Sequence, residues 1–371
     1  MKHPPFCPNR DCPNYHKPVK SWYVKNGFFT SYRSGPVQRY KCRVCGRGFS
    51  SETFSIDYFT KLKLPYKIIM DHLITASGIR DLSRLLKVSC STITNRIARL
   101  ARQSMAIHAE LCSDLSLKED LVADGFESFT RSQYFPNNIQ LLIAKESQFW
   151  LVSDYAHLRR KGRMTALQKK RNETMKVYAS INNVTVYRSF TNIVNTALAL
   201  ESHSDKDSIT LYTDEHSQYK RVMDLLSEKE RSRLKHVRIS SKKARTLSNP
   251  LFAVNYADRE IRKDCSDHTR QTVQWAKNTA NAMDRLAIYR THHNFLKPYR
   301  INGNTWQQKT HAGMAGILRT RIQKEMKTIF TQRRFLGKAT GLVPADLKLW
   351  CRCLSTPMNR FADYLPRFVL Q

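Results

Sequence analysis

The chain has 371 residues, room for two or three domains of roughly 100–200 residues each. Its 63 Lys and Arg against 30 Asp and Glu leave a formal charge of +33, far beyond what solubility needs, so a polyanionic partner is expected, with nucleic acid ahead of an anionic membrane surface. No stretch approaches the ~18 apolar residues of a spanning helix, the N-terminus lacks a secretion-type apolar run, and a composition 41% hydrophobic and 10% aromatic argues against disorder.

An intracellular chain with nine cysteines is expected to use them for metal or as free thiols rather than in disulfides. Four fall early, as Cys7-x4-Cys12 and Cys42-x2-Cys45, and two close pairs separated by strand-forming sequence suit a tetrahedral Zn²⁺ site. Between them, Trp22-Tyr23-Val24 and Phe28-Phe29-Thr30 flank Asn26-Gly27, a hairpin signal, and Ser34-Gly35-Pro36 marks a second turn. Residues 1–58 are therefore expected to form a small β zinc ribbon, with His3 and His16 as the less favoured ligands. Cys351 and Cys353 have no partner pair, and Cys90, Cys112 and Cys265 stand alone.

From Pro65 the period changes to that of helices. Ile68, Ile69, Leu73 and Ile74 form one apolar face, Arg80 to Leu86 a short second helix, and Ser89-Cys90-Ser91-Thr92 a cap for a third running through Ile93, Ile97, Leu100 and Ala101. The pattern predicts an all-α helix-turn-helix over 62–108. Thr94, Asn95, Arg96, Arg99 and Arg102 then face away from the apolar stripe, and Arg and Asn suit guanine and adenine edges. A plain three-helix bundle with solvated arginines is the alternative.

Beyond residue 115 the pattern is strand-like and then alternates. Strands are expected at Leu121–Phe126, Ile139–Ala144, Phe149–Ser153, Ile209–Asp214 and His236–Ile239, and helices at Phe190–Leu200, Tyr219–Leu226 and, as one long element, Asp267–His293. That order is the order of an α/β ribonuclease-H-like domain, expected over 113–296 with a basic insertion near 156–185. Asp124 and Asp214 sit within or at the end of apolar strands, where a carboxylate needs a partner. On neighbouring strands the two would share Mg²⁺, as in two-metal phosphodiester chemistry. Alone, either aspartate could equally cap a strand end or meet a nearby cation.

Taken together, these pieces resemble bacterial insertion-sequence transposases of the DDE type with an N-terminal zinc ribbon. The resemblance is carried by Cys7-Pro8, Cys12-Pro13-Asn14, the run Tyr40 to Ser50 around Cys42 and Cys45, the aspartates in VADGFESF and LYTDEHSQY, and the segment WAKNTANAMDRLAIYRTHHNF. It implies an enzyme that binds inverted repeats at transposon ends, cleaves there and joins the exposed 3′-OH to target DNA. It also implies a homodimer or larger assembly on double-stranded DNA, in the cytoplasm on the nucleoid. Asp124 and Asp214 would be the first two acids of the catalytic triad. The third place falls on Asn278, with Arg285 seven residues on. Asparagine departs from the usual glutamate. Glu260 or Asp284 could supply a true acid instead, or the copy could be an inactive, purely DNA-binding relic. A nuclease that cuts without joining is a further alternative.

Two tracts carry seven cations each and no acid: Arg159, Arg160, Lys161, Arg163, Lys169, Lys170 and Arg171, then Arg231, Arg233, Lys235, Arg238, Lys242, Lys243 and Arg245. Both could line a phosphate-neutralising channel or be solvated faces. Residues 297–371 read as a basic helical C-terminal extension, with one helix expected from Met314 to Phe330, packing on the core or touching DNA.

Overall fold

The computed structural model describes residues 3–116, 118–179, 185–201, 207–269, 274–300, 309–334, 341–359, 363–366 and 369. It is a multidomain chain of mixed α and β content, with a three-stranded antiparallel sheet in front and a five-stranded mixed sheet behind.

The front sheet comprises β1 (Tyr23–Ser31), β2 (Gly35–Cys42) and β3 (Gly48–Ser50), preceded by the single turn α1 (Pro13–His16). Its hairpin turn lies just before Gly35, whose φ is +64°, and not at Asn26-Gly27 as the sequence suggests. Asn26 and Gly27 instead form a bulge within β1, where the register shifts between Lys25 and Phe28 and Gly27 takes φ +68°. Gln38 holds the bulge by donating to the Gly27 carbonyl at 2.8 Å. A small separate core of Cys7, Cys12, Trp22, Tyr40, Cys42, Phe49 and Phe54 underlies this sheet.

Three helices follow: α2 (Tyr66–Leu73), α3 (Ile79–Leu85) and α4 (Cys90–Cys112). Ser89 caps α4 by accepting from the Thr92 amide, as its sequence predicts. The helix runs well past its apolar start, and Met105, Ile107 and Leu111 belong to the same core as the second sheet.

That sheet has the order β6-β5-β4-β7-β8. Strands β4 (Leu121–Phe129), β5 (Pro136–Ala144) and β6 (Trp150–His157) form an antiparallel meander, whereas β7 (Ile209–Thr213) and β8 (Leu234–Arg238) run parallel to β4. Strand β5 is buried at every residue after Pro136, so helices cover both faces of the sheet. The helices along this stretch are α5 (Ala166–Ala179), α6 (Val186–Glu201), α7 (Ser217–Asp224), α8 (Glu228–Arg233), α9 (Phe252–Asp264) and α10 (Thr279–Phe295). Helix α10 packs on α4 and on β6, where the Asn294 amide brackets the Trp150 backbone, accepting at 2.9 Å and donating at 2.8 Å.

The long helix expected from Asp267 begins instead at Thr279, because the side chain of Asn278 caps it; residues 270–273 of the expected span lie outside the described residues. The expected tail helix is likewise divided, into α11 (His311–Met314) and α12 (Arg319–Met326), by Gly316 at φ +100°. A final helix, α13 (Pro344–Trp350), packs on β6. The tail also clamps the ribbon-to-helix linker: Ile56 donates to the Thr331 carbonyl at 3.1 Å and Arg333 to that of Phe54 at 2.8 Å. Among the described residues no helix is long and apolar enough to cross a membrane.

Candidate active site and metal centre

In the front module, α1 and the loop before it supply Cys7 and Cys12, β2 ends on Cys42, and Cys45 follows in a tight turn closed by Gly46 at φ +70°. The sulfurs of Cys7 and Cys45 are 3.5 Å apart and those of Cys12 and Cys42 are 3.7 Å apart, and all four lie within 4.8 Å of one another. A tetrahedral ion with Zn–S bonds of about 2.3 Å needs sulfur–sulfur edges of about 3.8 Å, so the donor set fits in both type and size. Burial raises the thiols of Cys7 and Cys12. At Cys45 burial also pushes upward, but the Arg47 amide and the neighbouring thiols bring the group down to about 7. The Asn14 amide points at the Cys42 sulfur from 4.0 Å. His3 bonds Tyr23 and His16 meets the Tyr15 ring edge to face, and neither belongs to the cluster.

In the mixed sheet, β4 and β7 pair Leu121 with Leu211 and Val122 with Tyr212, an offset of 90 residues. The paired register ends at Val122 and Tyr212; Asp124 and Asp214 lie two residues beyond it, near enough for the charge of Asp214 to act on Asp124. The two carboxylates feel each other. Asp124 is pushed up to about 7, first by burial and then by the charge of Asp214, against the opposing pull of the Gly125 amide and of Arg245. The Gly125 amide donates to Asp124 at 2.7 Å, and that of His216 donates to Asp214 at 2.9 Å. A side chain at Gly125 would displace Asn138, which Gln140 holds in place.

Behind the pair stands Tyr219 of α7, buried and stacked on Phe190 with ring centroids 4.2 Å apart. Its phenol is raised well above its ordinary value, by burial and then by the charges of Asp124, Asp214 and Asp258, with a Gln140 hydrogen bond opposing. Asp258, held on α9, which packs on β4 and β5, is a further carboxylate acting on Tyr219, and Glu127 is a further one acting on Asp124. The sequence reading missed Asp258 because it missed α9. The signal was present: Leu251, Val254 and Ile261 are buried at helical spacing, and Asp258 shares their face. Among the described residues the four cysteines are the only set of three or more potential ligands closed to within 4.8 Å; the three aspartates are more open.

Asn278 does other work. As the cap of α10 its side-chain oxygen accepts from the Asn281 backbone amide at 2.9 Å, while its side-chain NH₂ donates to Asp363 at 3.0 Å. Arg285 is tied to buried Asp267. The other acids considered are also committed: Glu260 to Lys263 and Lys297, and Asp284 to Arg352 at 3.0 Å.

The expected recognition face of α4 is not an open one. Arg96, Arg99 and Arg102 are buried and donate to the carbonyls of Leu62, Ile56 and Trp350 at 2.9, 3.1 and 3.0 Å. Asn95 is exposed, but its side-chain oxygen accepts from both Arg96 and Arg99. Thr94 is half-buried and bonds back to the Cys90 carbonyl. The basic tracts differ. Arg159, Lys161, Lys169, Lys170, Arg171, Lys242, Lys243 and Arg245 are exposed, and Arg160 lies over the Tyr134 ring.

The chain matches no family model and no curated protein sequence.

Proposed function

We propose that this chain is a Mg²⁺-dependent DNA strand-cleaving and strand-joining enzyme of the DDE transposase kind, built on a ribonuclease-H-like domain, with a zinc ribbon in front. The observation that carries the reading is the pairing of β4 with β7 at an offset of 90 residues, which supports a shared site for Asp124 and Asp214 just beyond it. A meander followed by two parallel strands, in the order β6-β5-β4-β7-β8, supports the fold assignment. The resemblance of the motifs supports the reaction, and Asp258 takes the third acidic place that the sequence reading gave to Asn278.

A carboxyl raised to about 7, first by burial and then by a neighbouring carboxylate, suits a divalent cation, because its charge would offset both. Asp124, Asp214 and Asp258 would hold it, and Mg²⁺ there would activate the attacking oxygen and stabilise the leaving one. Tyr219 and Gln140 fix the floor beneath the acids, while Arg245 and the exposed tracts would neutralise flanking phosphates. The four cysteines would hold Zn²⁺ as a structural ion, and joining two ends in concert would call for at least a dimer.

The test is incubation of purified full-length protein with Mg²⁺ and duplexes from the DNA flanking its gene, scored for cut and joined products. Asp124→Asn, Asp214→Asn and Asp258→Asn should each abolish cleavage and retain binding. Full cleavage by the Asp124 or Asp214 variant would end the proposal. Full cleavage by the Asp258 variant would remove that residue from the site.

A further inference from the structure

About 20 Å along β4 from Asp124, at ~3.3 Å per residue, the β4–β5 hairpin closes one side of a cavity of about 390 Å³. That volume is in the range of sites for small organic groups. Helix α5 and the segment leading into α10 form its other sides. Its walls are the rings of Tyr134 and Trp275 with the thioethers of Met175 and Met358. Arg131, Arg171 and Lys277 stand around it, and among the described residues no acidic one lines it. Arg160 and Arg171 also lie over the Tyr134 ring, at 5.0 and 5.8 Å from its centroid.

Among the described residues, the indole N–H of Trp275 and the Nε of Arg131 are buried atoms without a hydrogen-bond partner. An acceptor that reached either would satisfy a buried donor. A ligand matching this lining has a flat apolar face, acceptors on its edge and negative charge close by. A nucleotide has all three.

We propose that the cavity takes one unpaired nucleotide of a DNA strand, its base against Trp275 and its phosphates among Arg131, Arg171 and Lys277. The inference rests on the DNA-directed reading above and extends it to a second site, one that selects a frayed or single-stranded end. Stacking on an aromatic ring tolerates any base, so the site senses strandedness rather than sequence.

The test compares binding of full-length protein to a blunt duplex, to the same duplex with a four-nucleotide overhang carrying 2-aminopurine, and to dAMP. The overhang should bind more tightly than the blunt duplex, with 2-aminopurine emission quenched at one overhang position. Trp275→Ala should weaken overhang binding by about 5- to 150-fold and leave the blunt duplex alone, and Trp275→Phe should keep most of the stacking. Lys277→Glu, at an exposed position, should weaken overhang binding even if the tryptophan variants fold poorly. Equal affinity for blunt and overhanging ends without quenching overturns the inference, as does a Trp275→Ala loss shared by both duplexes. Tight saturation by dAMP alone would assign the cavity to a free nucleotide instead. If no DNA binds at all, the functional reading fails and takes this inference with it.

Discussion

Replacing Asp124 by Asn should stabilise the protein in the absence of metal while destroying its response to Mg²⁺. The carboxyl moves from 3.8 to about 7 on folding, chiefly through burial and the charge of Asp214. A group whose folded value lies above its unfolded one is bound more tightly to its proton in the folded state, so stability falls as pH rises from 3.8 and the loss is complete above about 7. At about 1.4 kcal/mol per pH unit the gap amounts to about 4 kcal/mol at pH 8.5. Asparagine keeps the size and the oxygen that accepts from the Gly125 amide, so about half or more of that amount should be regained. Denaturant unfolding at pH 5 and pH 8.5, with and without Mg²⁺, reads the effect. The variant should exceed the parent modestly at pH 5, where about 1.6 kcal/mol of the gap has opened, and by more at pH 8.5. Saturating Mg²⁺ should then raise the parent, by about 2.7 kcal/mol at a hundredfold excess over its dissociation constant, and leave the variant unchanged. A variant less stable than the parent at pH 8.5, or equal stabilisation of both by Mg²⁺, would refute the argument that Asp124 and Asp214 are held together for a cation.

Three further outcomes follow from the same geometry. Zinc analysis should find one ion per chain, and Cys42→Ser or a strong chelator should unfold the front module while the larger core, which shares no residue with it, keeps its cooperative transition. Asn278→Ala should cost about 1 kcal/mol of stability by removing the α10 cap, yet leave Mg²⁺-dependent cleavage close to normal; loss of cleavage in a folded variant would return Asn278 to the active site. Arg99→Ala should destabilise by about 2–4 kcal/mol in thermal or denaturant unfolding, because it leaves the buried Ile56 carbonyl without its guanidinium donor, and it should not alter which DNA sequence is preferred.

Much of the local structure was legible from residue order alone. Paired cysteines, the Ser89 cap and the strands around Asp124 and Asp214 are written in neighbouring residues, and short-range rules act on just those scales. The acids at 124 and 214 were visible because a carboxylate in an apolar strand conflicts with its surroundings. Asn26-Gly27 misled because a glycine at positive φ serves a bulge as well as a turn, and only the pairing of β1 with β2 decides between them.

What neighbours along the chain could not decide was which distant groups would arrive at a given side chain. Helical periodicity separates the apolar face of α4 from the rest; it does not tell that carbonyls 34, 43 and 248 residues away close over its arginines. In the same way, residue order offered Asn278 for the third place and did not offer Asp258. The packing of α9 on β4 and β5 brings Asp258 within electrostatic reach of Tyr219, whereas Asn278 caps a helix and bonds Asp363. Burial and pairing are properties of the assembled core, where the cost of desolvating a charge is met by whatever group tertiary contact brings to it.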